Sequence, residues 1–383
     1  MMKDNMKLVY LTATRIPDDW AHVLQILQMC EAFSLAGAEV ELLAPRRKAM
    51  IDANPYDYAG VVKNFKITKL PCIELFPGSE SKFLFYLRTF SFFVAAKLYL
   101  AFNAFDVLYT REHLAGLFFN KFVYEVHSKP DAGKGLYERL WKRARGFVVL
   151  TSFMKETYVK SGLPEERITV APDGVKLDEF TVNEAREDVR ARLALPKDKY
   201  LVGYVGTLKT MQMEKGVGPT IEALAELPEE VEFYVVGGEP AHIEEYKQLS
   251  EVKGVGNRTH LVGKVAHDLV PQYLAAFDVV VAPFPDFEHY RYFMSPLKIF
   301  EYMAAGVPMI VTDLPSLREV LTDETAKFIP PDNVAALASA IQELKDHPEE
   351  ARALRLSARR DAEERFSWEA RARGILSFIQ ARD

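Results

Sequence analysis

The sequence predicts an α/β protein built from two doubly wound, parallel-sheet domains. Three observations predict it. At 383 residues the chain exceeds what one ordinary hydrophobic core organises. A strand–helix–strand pattern opens the chain and recurs in its second half. The segment 295–308, SPLKIFEYMAAGVP, carries start and stop signals for a helix that runs into a buried strand.

Each element has a local cause. Residues 7–13 form an apolar run of strand length, 22–36 have helical periodicity ending at Gly37, and 39–44 form a second strand. In the second half, 200–205 is a strand, 217–227 a helix, and 232–236 a strand ending in Gly237-Gly238. A strand end at 261–262, a helix over 268–276 and strands at 279–282 and 309–313 continue the alternation. No short tandem repeat is visible. The boundary is expected within 178–199, where Phe180 closes the first half and a charged helical stretch ends at Pro196. The expected domains are therefore 1–180 and 181–367. In open parallel sheets ligands sit beyond the carboxyl ends of the strands, so two such domains would face a central cleft.

Composition narrows the class. Hydrophobic residues make up 49% and charged residues 27%, as in soluble globular proteins. A formal net charge of -6 argues against generic nucleic-acid binding. Cys30 and Cys72 sit in apolar sequence with no His at ligand spacing, and are expected to be buried thiols of a reducing compartment. KLVYLTA is short enough to be a first strand, so no signal-peptide core is read there and a cytoplasmic location is expected. The most apolar stretch, 81–105, is interrupted by Arg88 and Lys97. The favoured reading is a core helix with a few exposed aromatics. The other is a helix on a membrane surface, peripheral at the inner face, with Lys82, Arg88 and Lys97 towards headgroups.

The helix at 295–308 also has chemistry. Ser295 suits an N-cap and Pro296 a first helical position. The free N–H groups of Leu297 and Lys298 would face an anion, and Lys298 adds a full charge in the same turn. Glu301 shares a face with Lys298 and can accept two hydrogen bonds from a ribose diol. Gly306 ends the helix and Pro308 forbids its continuation. The plainer reading is a well-capped helix and a strand, with no ligand.

Resemblance tips that balance. SPLKIFEYMAAGVP resembles the donor-binding signature of the retaining GT-B glycosyltransferases of family 4 (glycosyl transferases group 1), most closely the branch with SPLK-x-x-EYMAAG-x-P. GTLKTMQMEKGVGPTIEA from Gly206, RITVAPDGVKLDEF from Arg167 and LVGKVAHDLVPQYLAAFDVVVAPF from Leu261 resemble further family segments in the right order. The resemblance implies two Rossmann-like domains. Residues 1–180 hold the acceptor, 181–367 the nucleotide-sugar donor, and a last helix at about 368–383 crosses back onto the first domain. It implies a hexosyltransferase-type enzyme (EC 2.4) moving a sugar, with retention, from a UDP- or GDP-sugar to a saccharide, lipid-linked or small-molecule hydroxyl.

Residue by residue, the resemblance gives Lys215, on a loop after a strand, the departing β-phosphate. Lys209, Ser295, Leu297 and Lys298 join it on the phosphates. Glu301 takes the ribose, and Gly206, Thr207, Gly237, Gly263 and Lys264 line the ribose and base. His127, at a strand end in FVYEVHSKP, is placed near the donor sugar, so that His127, Lys215 and Glu301 are the catalytic set. On the acceptor side stand Arg15, Trp20 and His22 of a first loop that is not glycine-rich, with Arg111 and Glu125. Lone loop lysines and strand-end histidines are more often structural, and the resemblance is what favours function here. No paired-acid metal motif accompanies these segments. Lysines and a helix end are expected to do a divalent metal's work, with no cofactor.

Two departures matter. Thr207 stands where many members carry arginine, with Lys209 nearby as a replacement charge. Phe293 stands eight positions before Glu301, where many carry a glutamate that contacts the donor sugar; Glu288, Tyr290, Arg291 and Tyr292 lie close by. The sugar's identity is therefore open, as are the base and the acceptor. Two rival classes stay in view: a binding or scaffold protein that kept the fold without the chemistry, and a dinucleotide oxidoreductase. The second lacks its G-x-G-x-x-G turn, since neither TATRIPDD nor GYVGTLKT fits.

Overall fold

The structure, a computed structural model, describes residues 6–18, 21–48, 51–76, 81–127, 140–210 and 213–382. The chain divides into two compact units, Met1–Pro172 with Trp368–Asp383, and Asp173–Ser367. The division falls earlier than the expected boundary after Phe180. Val175 and Phe180 are buried in the second unit's core, and the Val175 N–H donates to the Phe366 carbonyl at 2.9 Å.

The first unit holds a seven-stranded sheet, all of whose pairings are parallel. Its strands are β1 (Lys7–Leu11), β2 (Glu39–Pro45), β3 (Lys66–Leu70), β4 (Val107–Thr110), β5 (Val123–Val126), β6 (Gly146–Val149) and β7 (Ile168–Val170). The order is β3-β2-β1-β4-β5-β6-β7. Strands β4, β5 and β6 are buried throughout, as sheets covered on both faces require. Order reverses between β1 and β4, so the loops after these two strands flank the crevice where ligands of such sheets sit. Helix α1 (Ala21–Leu35) packs against the C-terminal helix Trp368–Gln380.

Helix α2 (Lys82–Phe102) is packed on one face, with more exposed apolar residues than the favoured core reading expects. Its buried residues are Thr89, Phe92, Phe93, Ala96 and Leu100, which share one face. Phe83, Tyr86, Phe90, Val94 and Leu98 recur at three- and four-residue spacing on the other face and are exposed, Phe83 at 72%. By length and composition alone α2 is long and apolar enough to cross a membrane. Cys30 is buried, whereas Cys72 is only half-buried, its Sγ 3.8 Å from the Arg46 carbonyl.

The second unit holds a six-stranded sheet, again with parallel pairings, and a two-stranded ribbon. The strands are β8 (Tyr200–Val205), the ribbon β9 (Lys209–Thr210) and β10 (Met213–Glu214), β11 (Val231–Val236), β12 (Thr259–Gly263), β13 (Val279–Ala282), β14 (Met309–Thr312) and β15 (Lys327–Ile329). The order β12-β11-β8-β13-β14-β15 reverses between β8 and β13. That places the loops after β8 and β13, and helices α3 (Val217–Leu224) and α4 (Leu297–Ala305), at the ligand end of the sheet.

Candidate functional site

The second unit gathers most of the expected donor residues at this reversal. Gly206 directly follows β8, and its φ of +128° suits glycine. The Lys298 ammonium lies against it: a Cβ on Gly206 would sit 3.4 Å from Nζ. Glycine here keeps open the space beside that charge. The Gly237 N–H donates to the Gly263 carbonyl at 2.7 Å, and a Cβ on Gly237 would meet the Gly206 carbonyl at 2.3 Å. Gly206, Gly237 and Gly263 thus line neighbouring strand ends with bare backbone.

Lys298 occupies the first turn of α4 and is buried, and among the described residues its Nζ has no hydrogen-bond acceptor. The ammonium stands 3.5 Å from the Tyr204 ring centroid and 5.7 Å from that of Phe284. A cation–π contact of this kind offsets only part of the desolvation cost. Burial holds the Lys298 pKa well below the lysine range, and the Lys215 charge adds to that. Lys215 Nζ donates to Thr207 Oγ1 at 2.9 Å, and burial lowers its pKa to about 8. Two under-neutralised ammonium groups near a helix N-terminus form an anion trap.

Glu301 lies one turn further along α4. Burial raises its pKa, while His267 and Lys298 oppose the rise. Among the described residues no donor reaches its carboxylate, so both oxygens can accept from a diol. The helix is fixed by Tyr302, whose hydroxyl accepts from the Val205 N–H at 3.0 Å, and by the left-handed Gly306 at its end.

Several expected roles change. Pro296, not Ser295, takes the cap position, and Leu297 is the first helical residue. Ser295 Oγ instead accepts the Asp173 N–H at 2.9 Å, because the chain entering this unit passes beside it. Lys209 is held by Glu245 of helix Pro240–Val252, at 2.7 and 2.8 Å, so it supplies no free charge to replace the missing arginine. Lys264 pairs with Glu239 at 2.7 Å. Phe293 and Tyr290 are both buried, Phe293 packs against the Tyr292 ring, and Arg291 pairs with Asp286.

In the first unit, His127 follows β5 and its Nε2 lies 2.6 Å from Glu125 Oε1. Glu125 is no acceptor-side group. It is buried, accepts from Tyr109 Oη at 2.6 Å and pairs with Arg371 Nη2 at 2.8 Å. Burial pushes its carboxyl up, but Arg371 and then His127 outweigh this and hold it well below the usual carboxylate range. Arg371 comes from the C-terminal helix and also donates to the Pro172 carbonyl at 2.8 Å. His22 lies 3.4 Å from Thr14 Oγ1, and burial, then Arg111, lowers its pKa to about 4. Arg111 donates to Gln25 Oε1 at 3.1 Å. Arg15 is buried, 4.0 Å from Asp18. Trp20 lies outside the described residues.

Sequence reasoning missed Tyr204, the ring under Lys298, and Arg371, the partner of Glu125. It also missed His289, whose pKa falls through burial and then the Lys215 charge. Only Tyr204 had a local signal, two residues before Gly206 on a strand pointing at the site. Among the described residues, no group of three or more His, Cys, Asp or Glu is arranged to hold a metal.

Comparison with known proteins bears on both units. Residues 199–347 match the family model for glycosyl transferases group 1, and residues 23–179 that for glycosyltransferase family 4. A D-inositol 3-phosphate glycosyltransferase of Xylanimonas cellulosilytica is 32% identical over 225 residues, covering 56% of this chain and 51% of the relative. The chain spans about half the length of the curated relatives it matches. Among solved structures, sucrose-phosphate synthase from Thermosynechococcus elongatus superposes with a TM-score of 0.75 at 23% identity, covering 98% of each chain. Anabaena Alr3699/HepE in complex with UDP-glucose does so with a TM-score of 0.72 at 18% identity, covering 98% of this chain and 100% of that one. At these identities the superpositions establish a shared GT-B fold.

Proposed function

Since the chain belongs to the group 1 glycosyltransferases of family 4, we propose that it transfers a sugar from a UDP- or GDP-sugar to an acceptor hydroxyl, with retention and without a metal. The observation that carries the donor half is the buried Lys298 ammonium, without a hydrogen-bond acceptor, at the start of α4. A diphosphate supplies the missing acceptors. Lys298, the N–H groups of the first turn and Lys215 then face its oxygens, and Glu301 receives the ribose diol. The UDP-glucose bound by the Anabaena neighbour supports a uridine donor.

In the reaction the bond from the sugar's anomeric carbon to the β-phosphate oxygen breaks. The acceptor oxygen bonds to that carbon on the same face, and its proton passes to the leaving phosphate. Lys215 stabilises the charge that grows on that phosphate. His127, held by Glu125, is the hydrogen-bonding group for the sugar. On the acceptor side, the exposed apolar face of α2, flanked by exposed Lys82 and Lys97, fits a membrane surface and a lipid-linked acceptor.

The test is calorimetric titration with UDP, GDP, ADP, NAD and NADP in EDTA. Binding of one nucleoside diphosphate, weakened in Lys215→Ala and Glu301→Ala, is expected. Binding of NAD or NADP alone, or of nothing, would return the chain to the oxidoreductase or scaffold class.

A further inference from the structure

A second cluster of unmatched cations lies in the first unit, at the carboxyl ends of β1, β2 and β3. Arg15 follows β1, Arg47 follows β2, Glu74 follows β3, and Arg88 reaches in from α2. Arg47 places Nε and Nη2 each 2.7 Å from Glu74 Oε1. Arg88 Nη1 stands 3.7 Å from the same oxygen, beyond hydrogen-bond reach. This inward turn removes Arg88 from the headgroup role that the membrane-surface reading gave it.

The cluster is short of acceptors. Arg15 is 8% exposed, its Nε is buried with no hydrogen-bond partner among the described residues, and it stands 4.0 Å from a carboxylate oxygen of Asp18. Among the described residues the Arg88 guanidinium has no acceptor either. Among the described residues, three guanidinium groups therefore face two carboxylates. Burial lowers the Arg88 pKa, with Arg47 next among the causes and Arg15 also contributing, so the three charges feel one another. A lysine in this position would shed its proton, as Lys298 is driven towards doing. A guanidinium does not; water reaches the partly exposed Arg88, but the buried Arg15 Nε is completed only by a ligand that brings an acceptor.

We propose that Arg15, Arg47 and Arg88 form a subsite for a phosphate group carried by the acceptor, an inference that rests on the glycosyl-transfer reading for the word acceptor. Glu74 already satisfies Arg47, and what remains is the demand of two forked donors. A phosphate, with its three terminal oxygens, meets two forks where one carboxylate meets one. Arg88 keeps 16% of its side chain exposed, which leaves an approach from solvent. From β2 to β5 is three strand spacings, roughly 14 Å at about 4.8 Å each. The phosphate is thus a group distinct from the hydroxyl that reacts near His127.

The experiment titrates UDP-saturated protein, so that the donor site is filled, with inorganic phosphate. Wild type and Lys215→Ala are expected to bind phosphate alike, and Arg88→Gln to bind it at least tenfold more weakly. Arg15→Gln is a second variant of the same kind, and Arg88→Gln, at the more exposed position, covers the case where it fails to fold. Phosphate binding unchanged in Arg88→Gln, or absent from UDP-saturated wild type, overturns the subsite. Failure of UDP itself to bind overturns the donor reading instead. Vesicles of phosphatidylcholine with phosphatidic acid separate the sources. Retention lost in both Arg88→Gln and Phe83→Ser/Phe90→Ser assigns the phosphate to a lipid headgroup. Phosphate binding that depends on Arg88, with vesicle retention that does not, assigns it to a soluble acceptor.

Discussion

Arg371 in the first unit and Lys298 in the second are both buried cations, and they differ in everything else. Arg371 donates to Glu125, to the Pro172 and Ala171 carbonyls and to Met29 Sδ. Lys298 has an aromatic face and no acceptor. A buried charge with matched partners is part of the fold, because removing either partner strands the other. A buried charge without them is a cost the fold carries for a ligand. The same criterion separates Lys209, held by Glu245, from Lys215, which among the described residues has only the Thr207 hydroxyl.

The largest expected effect tests the matched side. Arg371→Ala strands Glu125 in the core and is expected to destabilise the protein by about 3–5 kcal/mol, read as a lower urea midpoint. Arg371→Leu combined with Glu125→Leu should recover much of that loss. A wild-type midpoint for Arg371→Ala would end the contrast.

Next comes Lys215→Ala, expected to lower turnover by about 10²–10³ with stability within about 0.5 kcal/mol of wild type. Steady-state kinetics beside a melt separates the two. Equal loss of stability and activity would make Lys215 a structural group.

A smaller effect of opposite sign is expected at Lys298. Lys298→Met removes an uncompensated charge, so the free protein should be as stable as wild type or more so by about 1–2 kcal/mol, while UDP affinity falls at least tenfold. A drop in the melting temperature without ligand would mean that the ammonium is matched after all.

The smallest effect is in pH. The Lys215 pKa is about 8 in the folded protein, below the ordinary 10.5. Between those values the unfolded chain holds a proton that the folded chain has lost, so this group's contribution to stability rises with pH across that window. A diphosphate restores the charged form, so UDP binding at pH 9 should take up a proton and weaken as pH rises. Calorimetry in Tris and HEPES buffers reads that uptake. Uptake equal in wild type and Lys215→Ala would remove Lys215 from the phosphates.

Much of the site was legible because its signals are local. Gly206, Lys215, Lys298 and Gly306 each sit at a strand end, a helix start or a helix end that neighbouring residues specify, and Glu301 follows Lys298 at helical spacing. Ser295 was misread for an instructive reason. Its capping propensity is real, but a backbone N–H from Asp173, distant in sequence, claims its oxygen. For α2, composition showed an apolar helix without showing which of its side chains would find a partner.

The sequence alone determined the alternation of strands and helices, the helix start that presents Lys298, and the glycines at strand ends. These follow from backbone conformational preference and hydrophobic period, which act over a few residues. Only the tertiary structure decided which charges are matched. Arg371 meets Glu125 across 246 positions of sequence, Glu245 claims Lys209, and Arg15, Arg47 and Arg88 converge on two carboxylates among the described residues. Whether a charge is satisfied depends on what packing brings within about 3 Å of it, and no local pattern encodes that distance.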